Sequence, residues 1–412
     1  MSGRGLLRNG DYLKLLSGQT ISALGSAMST FVFTLLAMAI TGSPAQAGLV
    51  GAAYALGATL SSLPAGALVD RTSRRLVLIS CGTAGAVLYG SVAVAGWLDR
   101  LTIWHLIAVA LCSGVSTAFF LPAETAALRQ IVPPDDIGTA VAASQGRGYV
   151  AGLAGAPLGG LLYTVGRVVP VAIDAVSYLV MTMLLALIRR PLGAPETHDA
   201  KPEPMLRSIR GGITWLFAQP ALRTIALVAT ALNFAANGTI LVLILDLQQR
   251  GVRPSVIGLL ETGMGLGGLL GAILTPKLLA MFSTGAIAIV GSWIVACTFT
   301  ATAFTSAPAA LIVLLSLAML LLPALNSGLF GYQMLITPDH LQGRAQSAVM
   351  FLATSSQPLA PALGGVMLAS FGHRTAVGVL GAILTVASLL LTLSRPIRSI
   401  PLLSEVKATA TV

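Results

Sequence analysis

The sequence predicts an all-α membrane protein in which twelve transmembrane helices form two six-helix bundles. Three observations support this fold class. Of the 412 residues, 55% are hydrophobic and only 9% are charged, whereas soluble domains are about one quarter charged. Long stretches carry no charge at all, so a soluble fold of this size would lack a hydrated surface. Short motifs also recur in the same order in the two halves of the chain.

Twelve stretches are long and apolar enough to cross a bilayer, which takes about 20 residues at ~1.5 Å rise per residue. Helices are expected rather than barrel strands, because the stretches are too long and too continuously apolar for alternating strands. Small residues such as Gly267 and Gly271 predict close helix packing. The predicted spans lie near residues 13–40, 47–68, 76–97, 103–128, 138–163, 168–188, 221–246, 255–276, 284–304, 308–334, 345–369 and 375–393.

The basic residues predict the orientation of these spans. With a cytoplasmic N-terminus, eighteen of the 24 Arg and Lys residues fall on the inner side and five on the outer side, and the remaining one, Arg147, lies deep inside a predicted span. This bias predicts a multi-pass protein of the cell inner membrane with both termini in the cytoplasm. The same placement at helix ends argues against nucleic acid as the partner of the net charge of +10.

The longest polar interval divides the chain. We expect an N-terminal six-helix bundle over residues 1–190, a cytoplasmic linker over 191–220, and a C-terminal six-helix bundle with a short cytoplasmic tail over 221–412. The stretch MLRSIRGGITWLFAQ within this interval has two interpretations. It forms an amphipathic helix on the inner surface, with Arg207 and Arg210 toward anionic headgroups, or it is only a tether.

The two halves repeat one another. Pro134 and Asp135 correspond to Pro338 and Asp339 at an offset of 204, and Gly159 and Gly160 correspond to Gly364 and Gly365 at an offset of 205. Both copies precede or enter the fifth span of a half. Parallel six-helix repeats of this kind build transporters with a binding site between the halves, near mid-membrane.

The turn between the second and third spans carries the sharpest motif, GALVDRTSRRLVLI at residues 66–79. A small residue allows close helix approach, and an acid beside basic residues at a helix end makes a charge cluster that can form and break as helices move. As an alternative, the basic residues only anchor the topology. The motif consists of Gly66, Asp70, Arg71, Arg74 and Arg75.

This motif resembles the signature of the major facilitator superfamily, with Ser73 in place of the usual second Gly. The resemblance covers nearly the whole chain. It is closest to the drug-exporter and siderophore-exporter branches, through RNGDYLKLLSGQTISALGS at 8–26, FFLPAETAALRQIVP at 119–133 and TPDHLQGRAQS at 337–347. It implies a conformational latch at residues 66–75 and export by alternating access.

A helix-bending motif in the fifth and eleventh spans is also implied by the resemblance. Antiporters of the superfamily often carry Gly-Pro-x-x-Gly-Gly in span five. This chain has GAPLGG there and APALGG in span eleven, and it lacks the Arg that such antiporters carry midway along span four. Transport is therefore better supported than proton coupling. The motif residues are Pro157, Gly159, Gly160, Pro361, Gly364 and Gly365.

Four charged residues lie within spans, where each costs about 2.5–3.5 kcal/mol on insertion scales and so needs a partner or a use. Arg147 is near mid-depth and is the first candidate for substrate or proton coupling. Glu124 is a partly hydrated interfacial acid, the partner of Arg147, or a proton carrier. Asp174 either caps a helix near the outer surface or has a functional role, and Glu261 is a further candidate proton carrier.

Neutral polar residues in the spans have two interpretations, a cavity lining or interhelical hydrogen bonds. The candidates are Gln19, Gln145, Asn233 and Asn326. We expect no cofactor, because there is no phosphate-binding loop and no zinc motif, and no catalytic pair for an enzyme is visible.

The sequence therefore predicts a gradient-driven, monomeric exporter of a small amphipathic compound such as a drug, antibiotic or siderophore, with the lipid bilayer and a coupling proton as its other partners. Two alternatives stay open. The chain is a membrane scaffold or sensor that kept the fold and lost transport, or it moves a different solute without proton coupling.

Overall fold

A computed structural model describes residue 6 and residues 9–133, 136–190, 192–193, 214–337 and 342–402. Side chains are excluded from this description at positions 63, 66, 67, 70, 71, 138, 142 and 342–347. The helices described from end to end are α1 (Gly10–Thr41), α2 (Pro44–Arg71), α3 (Arg74–Trp97), α4 (Ile103–Ile131), α5 (Ile137–Val165), α6 (Val169–Ala186), α7 (Pro220–Gln249), α8 (Pro254–Met281), α9 (Thr284–Ala301), α10 (Pro308–Leu320), α11 (Leu322–Ile336), α12 (Gln342–Ser355), α13 (Leu359–Leu393) and α14 (Arg395–Arg398).

Local sequence signals fix where several of these helices begin and end. The Asn9 side chain accepts hydrogen bonds from the first backbone amides of α1, and Ser43 and Thr102 cap α2 and α4 in the same way. These oxygens satisfy donors that a helix leaves unpaired at its N-terminus. Gly42 ends α1 at φ 63°, a left-handed conformation that costs glycine little.

Ten helical segments among the described residues are long and apolar enough to cross a membrane. One of them, 348–393, has 46 residues and is interrupted at Gly372, where φ is 73°. The predicted eleventh and twelfth spans lie on either side of this break. The predicted tenth span consists of α10 and α11, which meet at Leu321. The all-α membrane fold is confirmed, and the count of twelve crossings stays a prediction.

The chain separates into two compact units, residues 1–197 with 247–262 and residues 198–246 with 263–412. In the first unit α2 packs along α4, and α6 packs on α1 and α3. Glycines allow the first of these contacts. A Cβ on Gly57 would overlap the carbonyl oxygen of Leu111, and one on Gly114 would overlap that of Tyr54. The predicted domain boundaries at 190 and 220 stay a prediction, and the predicted amphipathic helix lies largely outside the described residues.

The second unit also relies on close backbone contacts, and α9 packs on α10, α11 and α13 within it. A Cβ on Gly267 would overlap the carbonyl oxygen of Ser316, and one on Gly271 would overlap that of Leu320. These contacts join α8 to α10 at the small residues that the sequence had marked for close packing. Near the Gly372 break, His373 Nδ1 lies 3.4 Å from Asp246 Oδ2, so Asp246 faces α13 as well as the end of its own helix.

Candidate substrate cavity

A cavity of about 200 Å³ lies inside the first unit. Its wall combines aromatic rings with hydroxyl groups. Rings come from four different helices, α2, α3, α4 and α6, and hydroxyls come mostly from α1 and α4. The lining includes Gln19, Ser22, Ser26, Thr30, Tyr54, Tyr89, Ser116, Thr117, Phe120, Arg147 and Tyr178. Such a wall offers apolar faces and hydrogen-bonding groups at the same time, which suits an amphipathic ligand.

An ion pair lies at this cavity. Arg147 Nη2 of α5 donates to Glu124 Oε1 of α4 at 2.7 Å, and Arg147 Nη1 donates to Gln19 Oε1 of α1. The Arg147 and Glu124 side chains are 13% and 9% exposed. The Glu124 carboxylate is thus the partner of Arg147 in this structure, and its role as a proton carrier stays a prediction. Three helices therefore meet at one guanidinium in a place where an unpaired charge would be costly.

Asp174 lies in a second polar cluster of the same unit. Its side chain is completely buried between α6 and α1, where a Cβ on Gly25 would come 2.5 Å from Asp174 Oδ1. The hydroxyl of Ser177 lies 3.0 Å from that oxygen. Asp174 is therefore enclosed by the bundle and does not cap a helix at the surface. A stack of Tyr89 and Tyr178 rings, with centroids 5.5 Å apart, lies at the border between this cluster and the cavity.

Glu261 is half-buried on α8. No hydrogen bond or ion pair links its carboxylate to another described residue. Its neighbour Thr262 donates to the carbonyl oxygen of Leu153 on α5 at 2.9 Å. Glu261 thus lies beside the contact of α8 with α5, and no described hydrogen bond connects it to the Arg147–Glu124 pair.

The GAPLGG motif lies in this same contact. α5 continues as one helix through Pro157 to Val165. A Cβ on Gly160 would overlap the backbone of Pro254, and Gly159 faces Met28 of α1. In the second half of the chain, Pro361, Gly364 and Gly365 fall in the first turns of α13, and a Cβ on Gly364 would lie 3.0 Å from the carbonyl oxygen of Gly238. These residues contribute close packing, and their role in helix bending stays a prediction.

The neutral polar candidates separate into two groups. Gln19 is buried, lines the cavity and accepts from Arg147. Gln145 and Asn326 are exposed and do not line this cavity. Asn233 donates to the carbonyl oxygen of Ala353 at 3.2 Å, which is the interhelical hydrogen bond that the sequence offered as the alternative.

The basic part of the 66–75 motif anchors α3 to the segment that follows α6. Arg74 Nη1 donates to the carbonyl oxygen of Gly193, and Arg75 Nη2 donates to that of Ala186. Ser73 Oγ donates to the carbonyl oxygen of Leu192 at 3.0 Å. Cations are favourable at a helix C-terminus. The side chains of Gly66, Asp70 and Arg71 fall outside the described residues, so the latch stays a prediction.

Tyr54, Tyr89 and Tyr178 line the cavity, and the sequence analysis did not select them. Each carries a hydroxyl within an apolar span, which is a signal that a search restricted to charges and amides overlooks. Among the described residues, no group of three His, Cys, Asp or Glu side chains could hold a metal ion.

Comparison with known proteins agrees with this architecture. The sequence profile of the Major Facilitator Superfamily matches residues 15–276. The multidrug efflux pump Tap of Mycolicibacterium fortuitum is 26% identical over 384 residues, which cover 89% of this chain and 92% of that protein. Macrolide efflux protein A of Streptococcus pyogenes is 22% identical over 219 residues, which cover 53% and 54% of the two chains.

Solved transporter structures have the same fold at low identity. A bacterial homologue of the human lysosomal transporter Spinster, in an inward-facing and occupied conformation, superposes with a TM-score of 0.74 at 17% identity over 97% of both chains. A bacterial homologue of the iron transporter ferroportin, in an inward-facing state, gives 0.73 at 16% identity over 96% of this chain and 99% of that chain. At these identities the likeness establishes the fold alone.

Proposed function

The chain belongs to the Major Facilitator Superfamily and is a membrane transporter, and from this premise we propose that it exports a small amphipathic compound by alternating access, in exchange for protons. The observation that carries the proposal is the cavity of the first unit, with Arg147 in its wall and the Glu124 carboxylate paired to Arg147. The efflux activities named for the relatives support the direction of transport and the broad class of substrate.

The chemistry of the wall defines the substrate class. The rings of Tyr54, Tyr89, Phe120 and Tyr178 present apolar faces, and the hydroxyls supply donors and acceptors. Ligand pockets commonly measure about 300–1,000 Å³, so about 200 Å³ holds one ring system with its polar substituents rather than a whole large drug. We infer that the cavity binds such a moiety, and that the rest of a larger substrate lies outside it.

Proton exchange requires a group that gains and loses a proton during the cycle. Glu124, Asp174 and Glu261 are the carboxyl groups of the predicted site. A ligand shifts a conformational equilibrium only by its differential affinity for the two states. A proton gradient can therefore drive the cycle only if the inward-open and outward-open states bind the proton with different affinities. We further propose a monomer in the bacterial inner membrane with both termini in the cytoplasm.

Transport in proteoliposomes tests the proposal. Protein reconstituted into liposomes receives an imposed proton gradient, and the movement of fluorescent amphipathic cations and of a labelled macrolide is followed. We expect gradient-dependent movement that Arg147→Ala reduces at least tenfold. Gln145→Ala is the matched control, because Gln145 lies two residues away on the same helix and is exposed; we expect it to leave the rate within twofold.

Three outcomes would contradict parts of the proposal. Unchanged transport in Arg147→Ala would exclude the ion pair from the mechanism. Movement of substrate that is independent of the proton gradient would favour the alternative of a transporter without proton coupling. Absence of movement for every compound, together with a stable protein partner captured by crosslinking, would favour a scaffold or sensor.

A further inference from the structure

Asp174 is a buried carboxyl group without a cationic partner among the described residues. Its side chain has no exposed surface, and the groups that interact with it are hydroxyls rather than charges. Asp174 Oδ2 makes no hydrogen bond of normal geometry to a described residue, although the Ser29 hydroxyl also faces the carboxyl. Buried polar atoms are almost always paired, and a buried ionised carboxylate needs a counter-charge or several donors. The Asp174 carboxylate has hydroxyl donors but no counter-charge within the described residues, and uptake of one proton would neutralise it.

No positively charged side chain of the described residues interacts with Asp174. Helix α1 contributes Gly25 and the hydroxyls of Ser26 and Ser29. The titratable groups that face Asp174 are Tyr89 on α3 and Tyr178 on its own helix, and no group of α5 contributes a charge to it within the described residues. A tyrosine hydroxyl is neutral in this setting and cannot balance a carboxylate.

Hydroxyl groups connect this cluster to the cavity. Ser26 Oγ donates to Tyr178 Oη at 3.0 Å, and both residues line the cavity, whereas Asp174 does not. Ser26 also faces the Asp174 carboxyl. A hydroxyl can accept one proton while it gives up another. A path of two hydroxyls therefore runs from the cavity to a carboxyl that solvent cannot reach directly.

Glu124 is less suited to this task. Its carboxylate already has a cation, Arg147, at 2.7 Å. A proton added to Glu124 would leave the guanidinium with reduced compensation, and arginine cannot release a proton in return. Asp174 carries no such constraint, because a proton would remove its charge without exposing another.

We propose that Asp174 is the proton-binding site of this transporter and is loaded from the cavity through the hydroxyls of Ser26 and Tyr178. A hydronium ion in the cavity gives one proton to the Tyr178 hydroxyl and becomes water. With the Ser26–Tyr178 hydrogen bond reversed, Tyr178 passes its own proton to Ser26, Ser26 passes its own to the Asp174 carboxylate, and the carboxylate becomes a neutral carboxyl group. Ionised Asp174 lacks a counter-charge between α1 and α6, so loading and release change how those helices pack. The inference rests on the proposed function only in assigning this proton to transport.

Infrared spectroscopy tests the site without requiring transport. The full-length protein is reconstituted into lipid and titrated from mildly acidic to mildly alkaline pH, in H₂O and in D₂O, while the C=O stretch of protonated carboxyl groups is recorded. We expect a band that is lost in Asp174→Asn and retained in Glu124→Gln and Glu261→Gln. A band that survives in Asp174→Asn, or its absence from the unmodified protein throughout the titration, would overturn the assignment.

A second variant keeps the test valid if Asp174→Asn protein fails to fold. In Gly25→Ala the new methyl group would lie 2.5 Å from both Asp174 Oδ1 and Ser177 Oγ, so we expect the titration midpoint of the band to shift. Gly90→Ala is the matched control on α3, where the new atom makes ordinary contact with Ala175 at 3.9 Å, and its midpoint should not move. Equal midpoints in Gly25→Ala and the unmodified protein would place the titrating carboxyl elsewhere.

Two further measurements separate the alternatives. If sodium chloride abolishes the band at constant pH and choline chloride does not, the Asp174 carboxylate binds a metal cation and the proton assignment is wrong. Gradient-driven transport is measured on the same preparations. A band that depends on Asp174, in a protein that transports without a proton gradient, would refute proton exchange and leave the site intact, so the two proposals can fail independently.

Discussion

The buried ion pair gives an asymmetric prediction for stability. In Glu124→Gln, the Arg147 guanidinium keeps its charge, because arginine does not deprotonate in proteins. In Arg147→Met, Glu124 can become neutral by taking up a proton. The free energy of unfolding should therefore fall more in Glu124→Gln than in Arg147→Met, although each variant removes one partner of the same contact.

The magnitude follows from the burial of the pair. Removal of one partner from a buried pair costs about 3–5 kcal/mol. The side chains are 13% and 9% exposed and the Gln19 side chain remains as an acceptor, so we expect the lower end, about 3 kcal/mol, for Glu124→Gln. For Arg147→Met we expect about 1 kcal/mol. The double variant should lose about 2 kcal/mol less than the sum of the single variants, which is within the range of coupling energies for residues in contact.

The assay uses the thiol of Cys81, which is buried, whereas Cys112 and Cys297 are exposed. Cys81 also lines the cavity of about 200 Å³, so the thiol-reactive dye must be too large to enter it. With the two exposed cysteines changed to Ser, such a dye reports unfolding through Cys81 alone in micelles of increasing denaturing detergent. Equal losses in the two single variants would refute the charge argument. Additive losses in the double variant would show that the two side chains are not coupled.

Two further predictions concern packing and topology. Gly57→Ala should lower the free energy of unfolding by about 1–3 kcal/mol, because its Cβ would overlap the Leu111 carbonyl. Gly146→Ala is the control, because its Cβ would have nothing within 4 Å, and we expect it to be neutral or stabilising. Equal effects of the two substitutions would contradict the close approach of α2 and α4. For topology, Arg100→Cys should react with an impermeant maleimide in intact cells and Arg398→Cys only after lysis, and the reverse pattern would invert the orientation.

The sequence identified the charged residues of the site and did not identify their partners. Composition and span length were sufficient for the membrane fold, because lipid permits few spanning architectures. Arg147, Glu124 and Gln19 were each selected, but 128 residues separate Gln19 from Arg147. Which side of a helix faces a neighbour is difficult to read when lipid and protein interior are both apolar, since no polar stripe marks the exposed face.

Asp174 shows the same difficulty in sharper form. Pro170 lies four residues before Asp174, and α6 begins next to it, at Val169. Asp174 is nevertheless completely buried. Its environment depends on Gly25 and Ser29 of α1, roughly 150 positions away. Local sequence gave the helix and its start, whereas the surroundings of the carboxyl come from packing between helices.

The internal repeat gives an independent reason to assign Glu124, Arg147 and Asp174 a role in transport. At the motif offsets of 204 and 205, α4 (Ile103–Ile131) corresponds to the α10–α11 pair at 308–336, so the offset holds for whole helices. Glu124 then corresponds to Gly328 or Leu329, Arg147 to Phe351 or Leu352, and Asp174 to Gly378 or Val379. None of these six residues is charged. Charges inside spans are costly to keep, and a duplicated bundle that needed them only for folding would be expected to need them twice. Their restriction to one copy therefore favours a role in transport over a role in packing. It predicts that Leu352→Ala will reduce the free energy of unfolding but will keep the gradient-dependent transport that Arg147→Ala removes. Loss of transport in folded Leu352→Ala protein would contradict this assignment.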